Sequence, residues 1–256
     1  MTTTLDAPPV DDDLIPDLPE NANVKLVGLG GVGGFVLDYL AIFLRSLQIP
    51  LRLVLIDGDS FEPANQQRMR FSNAGNKAEV KASEIAGVLQ GSDVALVAVP
   101  DYLNPDNLDR LIRENDYVFL CVDNHATRRL VSEHCTKLQN VVLFSGGNDG
   151  VELPHKRGTF GNVQIAIRRG GVDVSAPITR FHPEIRNATG KLPGSRVDCG
   201  QLAVSSRQIL MANIAVASAM MNAFFAYTCG RLSYQEVQFD ILEARSLPQM
   251  PLRSSG

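Results

Sequence analysis

The chain has 256 residues, 45% of them hydrophobic and 20% charged, which suits one large α/β domain with its own core. A formal charge of −4 gives no basic field to attract nucleic acid, and the pairs Arg128–Arg129 and Arg168–Arg169 read as solvated faces. Four widely spaced cysteines (Cys121, Cys135, Cys199 and Cys229) form no Cys-x-x-Cys pair, so neither a zinc site nor a disulfide framework is expected. No signal peptide opens the sequence, and a reducing cytoplasm is the expected compartment.

Residues 1–22 are acidic and Pro-rich and are expected to form a flexible arm. A β/α alternation follows. Val24–Val27 is predicted as a strand, then a glycine loop, then a helix from about Val32 to Leu47. Leu51–Ile56 is the second strand, ending at Asp57. Asn76 can cap a helix over Lys77–Leu89. Ala95–Val99 reads as a strand, Asn104–Glu114 as a helix, and Tyr117–Val122 as an apolar strand ending at Asp123. His125–Leu138 is predicted helical and Val141–Phe144 extended. Asn162–Arg168 reads as a further strand, with a turn at Gly170–Gly171. Val172–Gly200 is irregular, and loops of that length are commonly functional or mobile.

A long apolar helix is predicted from about Gln201 to Tyr227, then a strand over Glu236–Leu242. The part from Gln208 to Thr228 could be mistaken for a membrane span. Its interior Gln208, Asn213 and Asn222 favour a helix buried in the core or at a dimer interface instead, with no membrane partner. The expected class is α/β: a doubly wound, mostly parallel, Rossmann-like sheet with a C-terminal mixed strand and long helix as an extension. Residues 23–246 form one domain in this reading, and residues 247–256 a flexible tail.

Gly28-Leu29-Gly30-Gly31-Val32-Gly33 matches G-x-G-x-x-G between a strand and a helix. Missing side chains there let the backbone approach phosphates at a helix N-terminus. Asp57, 24 residues beyond Gly33, ends the next strand, where a carboxylate can accept bonds from ribose hydroxyls. Alone, this fingerprint points to NAD or FAD.

The following motifs change that reading. Asp57-Gly58-Asp59 is followed by Asn65-Gln66-Gln67-Arg68. Gly75-Asn76-Lys77-Ala78-Glu79 comes next, and then Asp123-Asn124-His125-Ala126-Thr127-Arg128. In this order they resemble the ThiF/MoeB-type adenylating family, which includes the adenylation domains of ubiquitin-activating enzymes. The resemblance covers about Val24 to Asn148 and is strongest to compact bacterial members. It implies ATP and Mg²⁺ as cofactors, and an acyl-adenylate plus pyrophosphate as products. Arg68 and Lys77 would neutralise the triphosphate. Asn65 would donate to a phosphate oxygen, Asp123 would hold the metal, and Gly28, Gly30, Gly31, Gly33, Asp57, Asp59 and Asn124 would line the nucleotide. Both reactants are anions, so charge compensation is the main task. A C-terminal carboxylate, with a pKa of about 3.5, needs no general base at pH 7. Arg128 is expected to support the fold through a salt bridge at the sheet edge.

The implied substrate is the C-terminus of a small ubiquitin-like or sulfur-carrier protein, and the implied assembly is a homodimer formed through the long helix. The sequence departs from the family in three respects: no arginine precedes the glycine loop, the first being Arg45; the paired Cys-x-x-Cys zinc site of many family members is absent; and no appended catalytic-cysteine or ubiquitin-fold domain is expected. Cys199 is the one cysteine placed to act as a nucleophile, in a loop before the long helix and near Arg196, with a capping-region cysteine as the alternative. Two other functions stay open at this stage. One is an NAD(P)-dependent oxidoreductase, which leaves Asn65, Arg68 and Lys77 without a role. The other is a non-catalytic scaffold half of a heterodimeric activating enzyme.

Overall fold

The computed structural model describes residues 14–62, 70–152, 156–194 and 208–250. The chain runs β1 (Ala22–Val27), α1 (Gly31–Ser46), β2 (Leu51–Ile56), the short β3 (Ser60–Phe61) and β4 (Gly75–Asn76), then α2 (Lys77–Leu89) and β5 (Val94–Val99). It continues through α3 (Leu108–Leu111), β6 (Tyr117–Leu120), α4 (His125–Cys135), β7 (Val141–Asn148) and the small pair β8 (Val151–Glu152) and β9 (Lys156–Arg157). The last part comprises β10 (Phe160–Arg169), β11 (Val172–Asp173), α5 (Pro183–Arg186), α6 (Leu210–Thr228), β12 (Glu236–Asp240) and β13 (Arg245–Gln249).

The main sheet has the order β13-β12-β10-β7-β6-β1-β2-β5, with β11 beside β10. Strands β5, β2, β1, β6 and β7 run parallel. The remaining strands, β10, β12 and β13, are added antiparallel at the β7 side. The expected doubly wound sheet with a mixed C-terminal extension is therefore present.

Period-two alternation in the strands sends neighbouring side chains to opposite layers. Leu26, Leu53, Leu55 and Phe119 join the core under α1, α2 and α6. Val27, Val54, Ile56, Val118 and Leu120 join the core under α3, α4 and α5. Phe224 of α6 meets Phe119 and Phe144 edge-on at centroid distances of 5.0 and 5.6 Å, and those two rings stack on each other at 5.2 Å. Truncating such a fully buried ring costs about 3–5 kcal/mol, so Phe224→Ala would loosen this layer.

Several predicted bounds are corrected. The flexible arm expected over residues 1–22 is corrected at its C-terminal part: Leu18 is buried, and the Asp17 N–H donates to the Thr228 carbonyl at the end of α6. The flexible tail expected over residues 247–256 is corrected at its start, because Leu247–Gln249 pair with Glu236–Gln238 in the edge strand β13. The helix expected over Asn104–Glu114 shrinks to Leu108–Leu111, since Asn104 and Asn107 bind each other's backbone in a turn. Helix α6 starts at Leu210, and residues 201–207, where its start was expected, lie outside the described residues. It has the length and hydropathy of a membrane span, yet it packs against α1, β7 and β10 and buries Val216, Met220 and Phe224. It is not buried all round: Met211, Ile214 and Phe225 remain exposed.

Candidate nucleotide site

Strand β1 lies between β2 and β6. The chain moves outward from β1 to β2 and β5, then crosses back to β6 on the other side. That reversal opens a crevice at the carboxyl ends of the parallel strands, where ligands of open α/β sheets bind. In register, Val27 faces Ile56 on one side and Leu120 on the other. The loops at Gly28, Asp57 and Asp123 therefore leave the sheet at one level. With about 4.8 Å between strands, the outer two loops stand about 10 Å apart, a span suited to a phosphate chain.

The glycine loop is built by close backbone contact. Gly28 has φ +86°, a conformation side chains rarely adopt, and its N–H donates to the Ile56 carbonyl. A Cβ on Gly33 would lie 1.8 Å from the Gly28 carbonyl oxygen. Gly30 is the N-cap of α1 and supplies no side-chain cap, and the first helical N–H bond is from Gly34 to Gly30. The N–H groups of Gly31, Val32 and Gly33 thus have no intrahelical acceptor, an arrangement that favours an anion.

Asp57 is nearly buried and locks the loops together. Its Oδ2 accepts from the Leu29 N–H at 2.6 Å and its Oδ1 from the Asp59 N–H at 2.8 Å. Burial pushes its carboxyl above the ordinary range, against the pull of Lys77 and the two backbone bonds. The residue read from sequence as a ribose partner thus already holds Leu29 in place; its second lone pairs are what it can offer a ligand.

Lys77 begins α2. Asn76 caps that helix by accepting from the Ala78 and Glu79 N–H groups, while its amide donates to the carbonyls of Asp57 and Asp59. The cap thereby fixes Lys77 beside the β2 loop. The Lys77 ammonium meets Asp59 Oδ2 at 2.7 Å, with the lysine side chain 11% exposed. The Tyr102 hydroxyl donates to Asp59 Oδ1 at 2.5 Å. Burial raises the Asp59 carboxyl, but the Lys77 and Tyr102 bonds together hold it below its usual range, and the same contact and burial push the Tyr102 phenol up. Tyr102 was not found by sequence reasoning. Its traces are Gly58 and Gly194, where a Cβ would come within 2.5 and 2.7 Å of the tyrosine ring.

Across the crevice, Asp123 is exposed just beyond β6. Asn124 caps α4, its side-chain oxygen accepting from the Thr127 N–H at 2.8 Å. Arg128 supports the fold as expected but through a different contact. Its guanidinium donates to Ser145 Oγ at 2.6 Å and to the Val122 and Gly146 carbonyls at 2.7 Å each, and among the described residues no carboxylate pairs with it. The hydrogen bonds tie the end of β6 to β7, in place of the predicted salt bridge.

Asn65, Arg68 and Cys199 lie outside the described residues. Of the other cysteines, Cys121 and Cys135 are buried and burial pushes both thiols up to about 12, which leaves them inert at neutral pH. Among the described residues no group of three His, Cys, Asp or Glu side chains could hold a metal. Mg²⁺ held through phosphates needs only one or two carboxylates, and the uncapped N-terminus of α1 beside Asp123 suits a metal–nucleotide pair.

Comparison with known proteins agrees with this geometry. Protein HesA of Leptolyngbya boryana is 30% identical over 149 residues, covering 54% of this chain and 51% of that protein. Adenylyltransferase and sulfurtransferase MOCS3 of Xenopus laevis is 33% identical over 116 residues, covering 44% of this chain and 25% of that protein. The chain thus spans about half or less of these relatives' length. The crystal structure of E. coli MccB with ATP shares the fold at a TM-score of 0.61 and 18% identity, over 95% of this chain and 66% of that one. The sequence pattern of the ThiF family matches residues 8–225, taking in all three loops of the crevice and most of α6, and the chain belongs to the ThiF family.

Proposed function

We propose that this protein uses ATP to adenylate a carboxylate. The observation that carries the reading is the uncapped, glycine-built N-terminus of α1, flanked by Lys77 on one side and Asp123 on the other. A carboxylate oxygen of the substrate bonds to the α-phosphorus of ATP, and the bond to pyrophosphate breaks. The N–H groups of Gly31, Val32 and Gly33 bind phosphate oxygens. Lys77, released in part from Asp59, offsets the charge on the leaving pyrophosphate. Mg²⁺, when bound by Asp123 and the phosphates, would supply further charge neutralisation. No proton has to be removed from the attacking group.

Family membership and the MOCS3 match support a substrate of the sulfur-carrier or ubiquitin-like kind, entering by its C-terminus. The exposed apolar side chains Met211, Ile214 and Phe225 of α6, with Tyr39 and Ile42 of the adjoining α1, support a homodimer through this helix pair. The test is equilibrium binding of ATP and NAD, each with and without Mg²⁺. ATP is expected to bind, and more tightly with Mg²⁺; Asp123→Ala should lose the Mg²⁺-dependent gain while keeping the fold. Tight NAD binding with no detectable ATP binding would overturn the reading.

A further inference from the structure

Helix α6 sends one polar side chain back into the nucleotide crevice. Asn213 is 1% exposed, and an ideal Cβ on Gly31 would lie 2.3 Å from its Nδ2. The side-chain amide thus rests on the first residue of α1, where only a glycine leaves room for it. Its Oδ1 accepts from Asn148 Nδ2 at 3.0 Å, at the end of β7. The other halves of both amides, Asn213 Nδ2 and Asn148 Oδ1, are buried and have no hydrogen-bond partner among the described residues. An unpaired buried amide is costly, about 1–3 kcal/mol, and is rarely kept without a use.

We propose that Asn213 is a phosphate-positioning residue: its Nδ2 donates to an oxygen of the nucleotide's phosphate chain at the N-terminus of α1. Asn148 is the residue that aims it. The inference rests on the ATP reading above and adds to it a donor that lies 182 residues beyond Gly31 in sequence. An anionic oxygen there would satisfy both the free N–H groups of α1 and the orphaned Asn213 donor. The Asn148–Asn213 bond fixes the carboxamide's rotation, so the donor is oriented before the ligand arrives.

The test compares ATP, inorganic tripolyphosphate and adenosine binding to the wild type, Asn213→Asp and Asn213→Ala by calorimetry. A hydrogen bond to a charged oxygen corresponds to roughly 10- to 100-fold in affinity. ATP and tripolyphosphate should weaken by that factor in Asn213→Ala and by more in Asn213→Asp, where a carboxylate replaces the donor. Adenosine, which lacks phosphate, should bind all three proteins alike, a pattern that general loosening of the fold would not produce. If neither variant folds, the Asn213 carboxamide proton signals of ¹⁵N-asparagine-labelled wild type are read; they should move with ATP or tripolyphosphate and not with adenosine. Unchanged ATP affinity in either folded variant, an equal loss for adenosine, or unmoved Asn213 signals would overturn the inference. A wild type that binds no ATP would instead overturn the ATP reading itself, and the inference with it.

Discussion

Two glycines adjacent in α1 make opposite predictions. A Cβ on Gly33 would lie 1.8 Å from the Gly28 carbonyl oxygen, whereas a Cβ on Gly34 would meet nothing within 4 Å. In Gly33→Ala, either the loop or the helix must retreat by more than an ångström to reach ordinary packing distance. Overpacking of this kind costs about 1–3 kcal/mol, and the strain falls on the loop that aims the free N–H groups of α1. If one charged hydrogen bond to phosphate is lost, ATP affinity should fall by about 10- to 100-fold. Gly34→Ala removes unfolded-state freedom without a clash and should stabilise the protein by about 0.5–1 kcal/mol, with ATP affinity unchanged. Urea unfolding and calorimetric ATP titration on both variants give the two readings. If Gly33→Ala matches wild type in both, or if Gly34→Ala loses as much as Gly33→Ala, close packing of the loop is not what shapes the site.

Arg128→Ala removes three hydrogen bonds while also relieving a buried cation, so a net loss of about 2–4 kcal/mol is expected in urea unfolding; a loss under 1 kcal/mol would contradict its role between β6 and β7. Tyr102→Phe frees one oxygen of the half-exposed Asp59 and should cost no more than about 1 kcal/mol, while tightening the hold of Asp59 on Lys77 and weakening ATP binding severalfold; unchanged affinity would show that Lys77 is not competed for. His182 bridges Glu184 at 2.8 Å and Glu236 at 3.1 Å. Burial lowers its pKa, but the two carboxylates outweigh burial and raise it, while both glutamates are held low. A raised folded pKa stabilises fully below the unfolded value, about 6.5, and is lost as pH rises through the folded value; the lowered glutamates stabilise above about 4.5 and are lost on acidification. The contribution of His182, read as the difference in melting temperature between wild type and His182→Gln, should therefore be largest between about pH 4.5 and 6.5 and shrink above it. A difference independent of pH would refute the bridge.

Local chemistry made much of the site legible. Gly28 to Gly33, Asp57 and Asn76 act within a few residues of their own strand or helix end, where turn geometry, a cap or a close approach leaves a residue-type signature. Asn76 was read as a cap, and it is one. Asn124 had the same signature, and it too is a cap. Arg128 was readable as structural, but its partners were not: Val122, Ser145 and Gly146 present a hydroxyl and two carbonyls, and backbone carbonyls carry no sequence identity. The tail illustrates a different gap. Residues 245–249 alternate weakly and include Pro248, and they form a strand only because β12 offers an open edge, a tertiary condition where proline is tolerated.

Tyr102 and Asn213 mark the limit more sharply. Each reaches the crevice from an element that carries no motif: one from the turn after β5, the other from the first turn of an apolar helix. In the sequence, Asn213 counted only as evidence against a membrane span, because a polar residue in such a helix must be buried against something. What it is buried against is Gly31, a loop glycine read separately for its closeness to phosphate. The two observations meet only when α6 packs on α1. That packing is dictated by Phe224, Val216 and Met220, residues with no chemistry of their own. The apolar core of α6 thus decides which polar group faces the helix N-terminus. A one-residue slip of α6 would turn Asn213 about 100° away from Gly31, so the placement of the amide depends on the aromatic cluster that fixes the helix register.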